Sequence, residues 1–187
     1  QTFKIILVPV DFGKVSANGY QYALRLADEL SASVHLLHCM PAIPAVSGHG
    51  HVVLETTPFL YQQTEKRIMA FAEAGKTAVR WRVSHMPEVH SSVSAFGLKE
   101  GISIYLEDHA VDLIVMGTHG VQDGWDRFFG TNATFLVDKV KPPMLIVPTN
   151  AEFQPFKSIC FATNLLESDL EGGSKVSKAL SPFAPQV

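Results

Sequence analysis

Lys4-Ile5-Ile6-Leu7-Val8-Pro9-Val10-Asp11-Phe12 lies near the start of the chain and decides how the rest is read. Its apolar run has no polar alternation. That pattern suits a strand of a parallel sheet covered on both faces, since a half-exposed strand would alternate. Downstream, residues 16–30 predict a helix, with Tyr20, Ala23, Leu24 and Ala27 at spacings of three and four. Residues 33–40 read as a second strand, and residues 41–58 as a loop rich in Pro, Gly and Ser. Residues 59–74 read as helical and 78–84 as a third strand, with 86–95 polar and irregular. A helix over 98–109 places Ile102, Tyr105 and Leu106 on one face. Strands at 113–116 and 144–147 flank a short helix over 131–140. Alternating strands and helices imply βαβ crossovers, and so an α/β fold: a doubly wound five-stranded parallel sheet flanked by helices.

Composition narrows the classes of function. The chain has 187 residues, 47% of them hydrophobic, which is enough for a packed core and excludes a disordered or collagen-like chain. No apolar run reaches the roughly 18 residues of a membrane span. Lys and Arg number 15 against 18 Asp and Glu, a net charge of -3. Nucleic acid is therefore not the expected partner, because backbone binding needs a basic surface. Cys39 and Cys160 sit in strand-like apolar runs and are expected to be buried thiols in a reducing, cytoplasmic setting. The run at 5–8 is too short for a signal peptide. The start at Gln1, without Met, is read as a trimmed terminus.

The C-terminal part repeats the opening. Phe156-Lys157-Ser158-Ile159-Cys160-Phe161-Ala162-Thr163-Asn164-Leu165 follows the design of the run from Phe3 to Phe12, with Asn164 where Asp11 stood. A helix-compatible stretch, 168–180, follows. The division expected is a domain over 1–149, a linker over 150–155 and a partial second repeat, its first strand and helix, over 156–187. The rival is an extra βα unit packed on the first domain.

In an open parallel sheet, ligands bind beyond the carboxyl ends of the strands, where strand order reverses. Pro9-Val10-Asp11 ends the first strand. Val115-Met116-Gly117-Thr118-His119-Gly120 ends the fourth, and Gly130-Thr131 opens a helix nine residues later. Glycines admit a close backbone approach to a ligand. A helix start with a Thr hydroxyl suits a phosphate. The result is a phosphate cradle in two parts, without the Gly-Lys-Ser/Thr of a P-loop.

These residues resemble the universal stress protein family, of the nucleotide-binding kind. Its pattern of Gly, two residues, Gly, nine residues, Gly and Ser or Thr is matched by Gly117, Gly120, Gly130 and Thr131. Asp112-Leu113-Ile114-Val115-Met116-Gly117-Thr118-His119-Gly120, the opening run and Leu36-Leu37-His38 match three further segments. The resemblance spans about residues 3–149 and implies a fold like that of the adenine nucleotide alpha hydrolases, in a tandem member cut short in its second copy. It implies an adenine nucleotide, ATP with Mg2+, as ligand. Asp11 would lie by the nucleoside, with Pro9, Val10 and Phe12 beside it, and Cys39 would meet adenine through its backbone. Met116, Gly117, His119, Gly120, Gly130, Thr131, Asn132 and Ala133 would line the phosphate side. The family also implies a homodimer through the fifth strand, or pairing between tandem repeats.

The loop between Gly120 and Gly130 is bulky and acidic. Asp123 and Asp126 in it read either as a solvated loop or as a metal site. Asn164 in place of an Asp argues against a nucleotide in the second copy. Gly48-His49-Gly50-His51 has the form of a nucleotidyl-transferase element but follows the second strand rather than the first, and it has no further metal ligand at sensible spacing. His38 and Trp81 are expected in the core; for His119 a phosphate contact and an exposed loop position both stand. No catalytic residue and no metal site are assigned. The expected function is an ATP-binding stress-response sensor or adaptor with at most slow ATPase or autophosphorylation activity. The alternative is a stress protein without nucleotide that acts through protein contacts; a true hydrolase or transferase is opposed by the missing signatures.

Overall fold

A computed structural model describes residues 3–40, 44–46, 52–54, 58–119, 136, 139–163 and 167–183. The chain forms β1 (Ile5–Pro9), α1 (Lys14–Leu30), β2 (Ser33–Cys39), β3 (Pro44–Val46), β4 (Val52–Leu54) and α2 (Pro58–Val79). Then come β5 (Val89–Ser94), α3 (Leu98–Asp108), β6 (Leu113–Thr118), β7 (Met144–Pro148) and α4 (Glu167–Ala179).

Five strands make one parallel sheet in the order β5-β2-β1-β6-β7. The chain builds outward from β1 through β2 to β5, then returns to the other side of β1 for β6 and β7. Strand order thus reverses between β1 and β6. Alternate residues of the central strands feed two cores. Ile6, Val8, Val34, Leu36, Leu113 and Val115 pack with Tyr20, Ala23 and Leu24 of α1 and Ile68 and Ala72 of α2. Leu7, Leu37 and Ile114 pack with Ile102 and Tyr105 of α3. Helices therefore cover both faces, as the unbroken apolar runs require. Burying each such Leu or Ile contributes about 1.5–3 kcal/mol.

Four expectations are corrected. The third strand is not at 78–84: α2 continues to Val79 and a 3-10 turn spans Arg80–Arg82. Ile68, Ala72, Gly75 and Val79 continue one buried helical stripe, whereas Trp81 is 92% exposed instead of lying in the core. The strand is β5, within the stretch read as irregular. As an outer strand it is only partly covered, so His90, Ser91, Ser92 and Ser94 are tolerated. Inside the loop at 41–58, β3 and β4 pair antiparallel, Pro44 opposite Leu54. Cys160 is exposed, not buried.

The C-terminal stretch holds a helix, α4, close to the expected 168–180, but its expected first strand does not form. Among the described residues of 156–163 there is an isolated bridge at Ser158 and no strand. Its apolar groups have another partner. Phe153, Phe156 and Phe183 stack edge to face or tilted with one another, and Phe153 meets Tyr22 of α1 at 5.1 Å. The Arg25 guanidinium lies 5.1 Å over the Phe153 ring.

Candidate functional site

β1 and β6 are adjacent and parallel, with Leu7 opposite Ile114. Asp11, four residues on, and Gly117, three residues on, consequently reach the same end of the sheet. Pro9 stands opposite Leu37 in β2, which brings Cys39 to that end as well. Pro9, Val10, Asp11, Phe12, Cys39, Met116, Gly117 and His119 are all placed there. Gly120, Gly130, Thr131, Asn132 and Ala133 lie outside the described residues, as do Asp123, Asp126, His49 and His51.

The turn after β1 is built by one carboxylate. Asp11 Oδ1 accepts the Gly13 N–H at 2.8 Å and the Ser16 hydroxyl at 2.6 Å. The Ser16 side chain is therefore spent on the first turn of α1, at whose start Gly13 stands as N-cap with no side chain to supply. Among the described residues Asp11 Oδ2 has no partner, and the side chain is exposed. Partial burial pushes the Asp11 carboxyl up, but the bonds from Ser16, Gly13 and its own N–H, with His38 nearby, outweigh it and hold it below the usual carboxylate range. An ionised acceptor is thus presented at the reversal point.

Beside it, the β1–β2 ladder closes before Cys39. Val10 N–H donates to Leu37 O at 2.9 Å. The Val10 carbonyl then takes His38 Nδ1 at 2.7 Å, so that nitrogen bears the proton. His38 is half-buried and serves this strand end rather than only filling the core. Burial pushes the Cys39 thiol up to about 11, which leaves it protonated and a poor nucleophile at neutral pH. His119 is exposed.

Gly117 has a packing role of its own. A Cβ there would lie 2.2 Å from the Val15 carbonyl oxygen, and one at Gly19 would lie 2.8 Å from the Gly117 nitrogen. The side-chain space at Gly117 is thus filled by α1, which rests directly on β6. Ser16 was not singled out in the sequence, although a hydroxyl five residues after Asp11 at a helix start is a legible signal. Among the described residues no group of three metal-ligating side chains converges, and no helix is long and apolar enough to cross a membrane.

Comparison with known proteins agrees with this fold. The pattern of the "Universal stress protein family" matches residues 2–148. The universal stress protein MJ0531 of Methanocaldococcus jannaschii is 27% identical over 150 residues, covering 78% of this chain and 82% of that protein. Among solved structures, the hypothetical protein MJ0577 superposes with a TM-score of 0.59 at 21% identity, covering 81% of this chain and 100% of the other. A universal stress protein from Archaeoglobus fulgidus, solved in complex with dAMP, gives 0.51 at 15% identity, covering 79% and 99%. The sheet order, the reversal between β1 and β6 and the match over residues 2–148 together place this chain in the universal stress protein family.

Proposed function

We propose that this protein binds an adenine nucleotide, ATP with Mg2+, at the β1–β6 reversal and works as a stress-response sensor or adaptor with at most slow ATPase or autophosphorylation activity. The observation that carries the reading is Asp11: an ionised carboxylate at the ligand end of the sheet, with one oxygen not used by its own turn. Such an oxygen accepts from a ribose hydroxyl or an exocyclic amine. The Cys39 backbone, at the end of the shortened ladder, is suited to an adenine edge. The dAMP complex of the Archaeoglobus fulgidus relative supports the ligand class. The nucleotide would supply the conformational signal; the chain's residues bind and orient it. Phosphates would rest on N–H groups at Gly120 and at Gly130-Thr131, where the sequence leads one to expect a helix start, with Asn132 and Ala133 following.

Calorimetric titration with ATP and Mg2+ tests this. Gly130→Val should weaken binding more than tenfold, on the order of 1.4 kcal/mol or more. No heat with the native chain, or an unchanged affinity in the variant, would contradict the reading. The proposal extends to a cytoplasmic setting, to a second repeat over 156–187 without nucleotide and without the strand expected to open it, and to homodimer formation through β7. That strand ends the sheet, and apolar edges invite pairing. Sedimentation at micromolar concentration should give a dimer; a monomer would refute that part.

A further inference from the structure

Phe12 has a φ of 66° and is one of two described non-glycine residues with positive φ. For a bulky aromatic side chain that conformation is unfavourable and needs support. The support is a layered stack. The His38 ring lies 4.3 Å from the Phe12 ring, tilted by 31°. Phe71 of α2 meets it edge-on at 5.6 Å. The Arg67 guanidinium, one helical turn before Phe71, sits 4.4 Å from the Phe12 centroid, within cation–π range. Phe12 is the residue between Asp11 and Gly13, whose carboxylate-to-amide bond closes the turn at the ligand end.

We infer that Arg67 is a positioning residue. By clamping the Phe12 ring against His38 it holds the left-handed backbone that aims the Asp11 carboxylate at the ligand. The inference rests on the nucleotide reading above but makes a separate structural claim. Arg67 is exposed and belongs to neither core cluster, so its removal leaves the fold intact. Among the described residues it reaches Asp11 through Phe12, and the role proposed for it needs no contact with the ligand. Glycine adopts the same backbone without help, so a Phe12→Gly chain has no further need of Arg67.

The test has a ligand-free and a ligand-bound arm. In amide hydrogen exchange of the free protein, Arg67→Met should speed exchange at Gly13 about fivefold, a scale set by an exposed cation–π contact. The Leu7 and Leu36 amides should not change. Arg67→Lys, which keeps a cation over the ring, should restore Gly13 to within about twofold. In the Phe12→Gly background, Arg67→Met should have no effect on Gly13. In ATP titrations, Arg67→Met should weaken binding about fivefold, and Arg67→Met combined with Asp11→Asn should bind no worse than Asp11→Asn alone. An unchanged Gly13 amide overturns the inference. So do additive losses in the double variant, which would make Arg67 a direct ligand contact. If the native chain binds no ATP while the Gly13 amide responds as stated, the nucleotide reading fails and the clamp stands.

Discussion

Aspartates stitch both ends of this sheet, and they do so in opposite ways. At the amino end, Asp112 Oδ2 accepts the N–H groups of Lys4 and Ile5, 108 and 107 residues away, at 2.8 and 3.0 Å. Asp28 likewise takes the Ser84 and His85 amides, 56 and 57 residues on, at 2.6 and 2.9 Å. Those carboxylates tie distant segments together. At the carboxyl end, among the described residues, Asp11 takes donors two and five residues ahead. Among these residues it shapes a turn and ties no distant segment. One side-chain chemistry thus fastens the scaffold at one end and presents an acceptor at the other. The difference is the sequence distance of the donors.

That contrast can be broken by substitution, and the largest effect belongs to the scaffold beneath the ligand end. Gly117→Ala should cost about 3 kcal/mol in a denaturant titration, because its Cβ would meet the rigid Val15 backbone. Asp112→Ala comes next. Leaving the Lys4 and Ile5 amides without their acceptor should cost about 2 kcal/mol of stability while ATP affinity of the folded protein stays the same. Asp11→Asn reverses the pattern. It keeps an acceptor for the turn but removes the charge, so ATP affinity should fall about tenfold, near 1.4 kcal/mol, and stability should move by less than about 0.5 kcal/mol.

The smallest effect concerns pH and the face opposite α1. His35 is buried beside Tyr105, whose hydroxyl lies 2.7 Å from Nδ1, with His90 at 4.6 Å, His109 at 6.0 Å and Ser33 near Nε2. Burial, then the charges of His90 and His109, lower its pKa, against an opposing pull from Glu88. The unfolded chain therefore takes up a proton before the folded one does. Stability should be full above the ordinary histidine range and fall as pH drops through it, levelling off below the lowered folded pKa. Melting temperatures recorded between about pH 7.5 and pH 5.5 should drop less for His35→Asn than for the native chain. An equal drop would assign the pH dependence to other groups.

Legibility followed burial. β1 and β6 are central strands covered on both faces, and their apolar runs were readable as such. The glycines and Asp11 at their ends followed from the rule for parallel sheets. β5 was not readable, because an outer strand tolerates Ser and His, while Val79, Trp81 and Val83 imitate strand alternation where a helix ends. The repeat of Phe3-Lys4 at Phe156-Lys157 suggested a strand, but the aromatic side chains there pack beside α1 instead. The Arg67–Phe12 contact depends on how α2 crosses the sheet end, which no local pattern records.

The most direct test pairs Asp11→Asn with Asp112→Ala in the same ATP titration, each variant also melted thermally. Asp11→Asn should lose about tenfold in affinity, near 1.4 kcal/mol, with its melting temperature nearly unchanged, and Asp112→Ala should melt earlier with its affinity intact. Equal affinities in the two variants, or an Asp11→Asn chain that binds ATP like the native protein, would contradict the role proposed for Asp11.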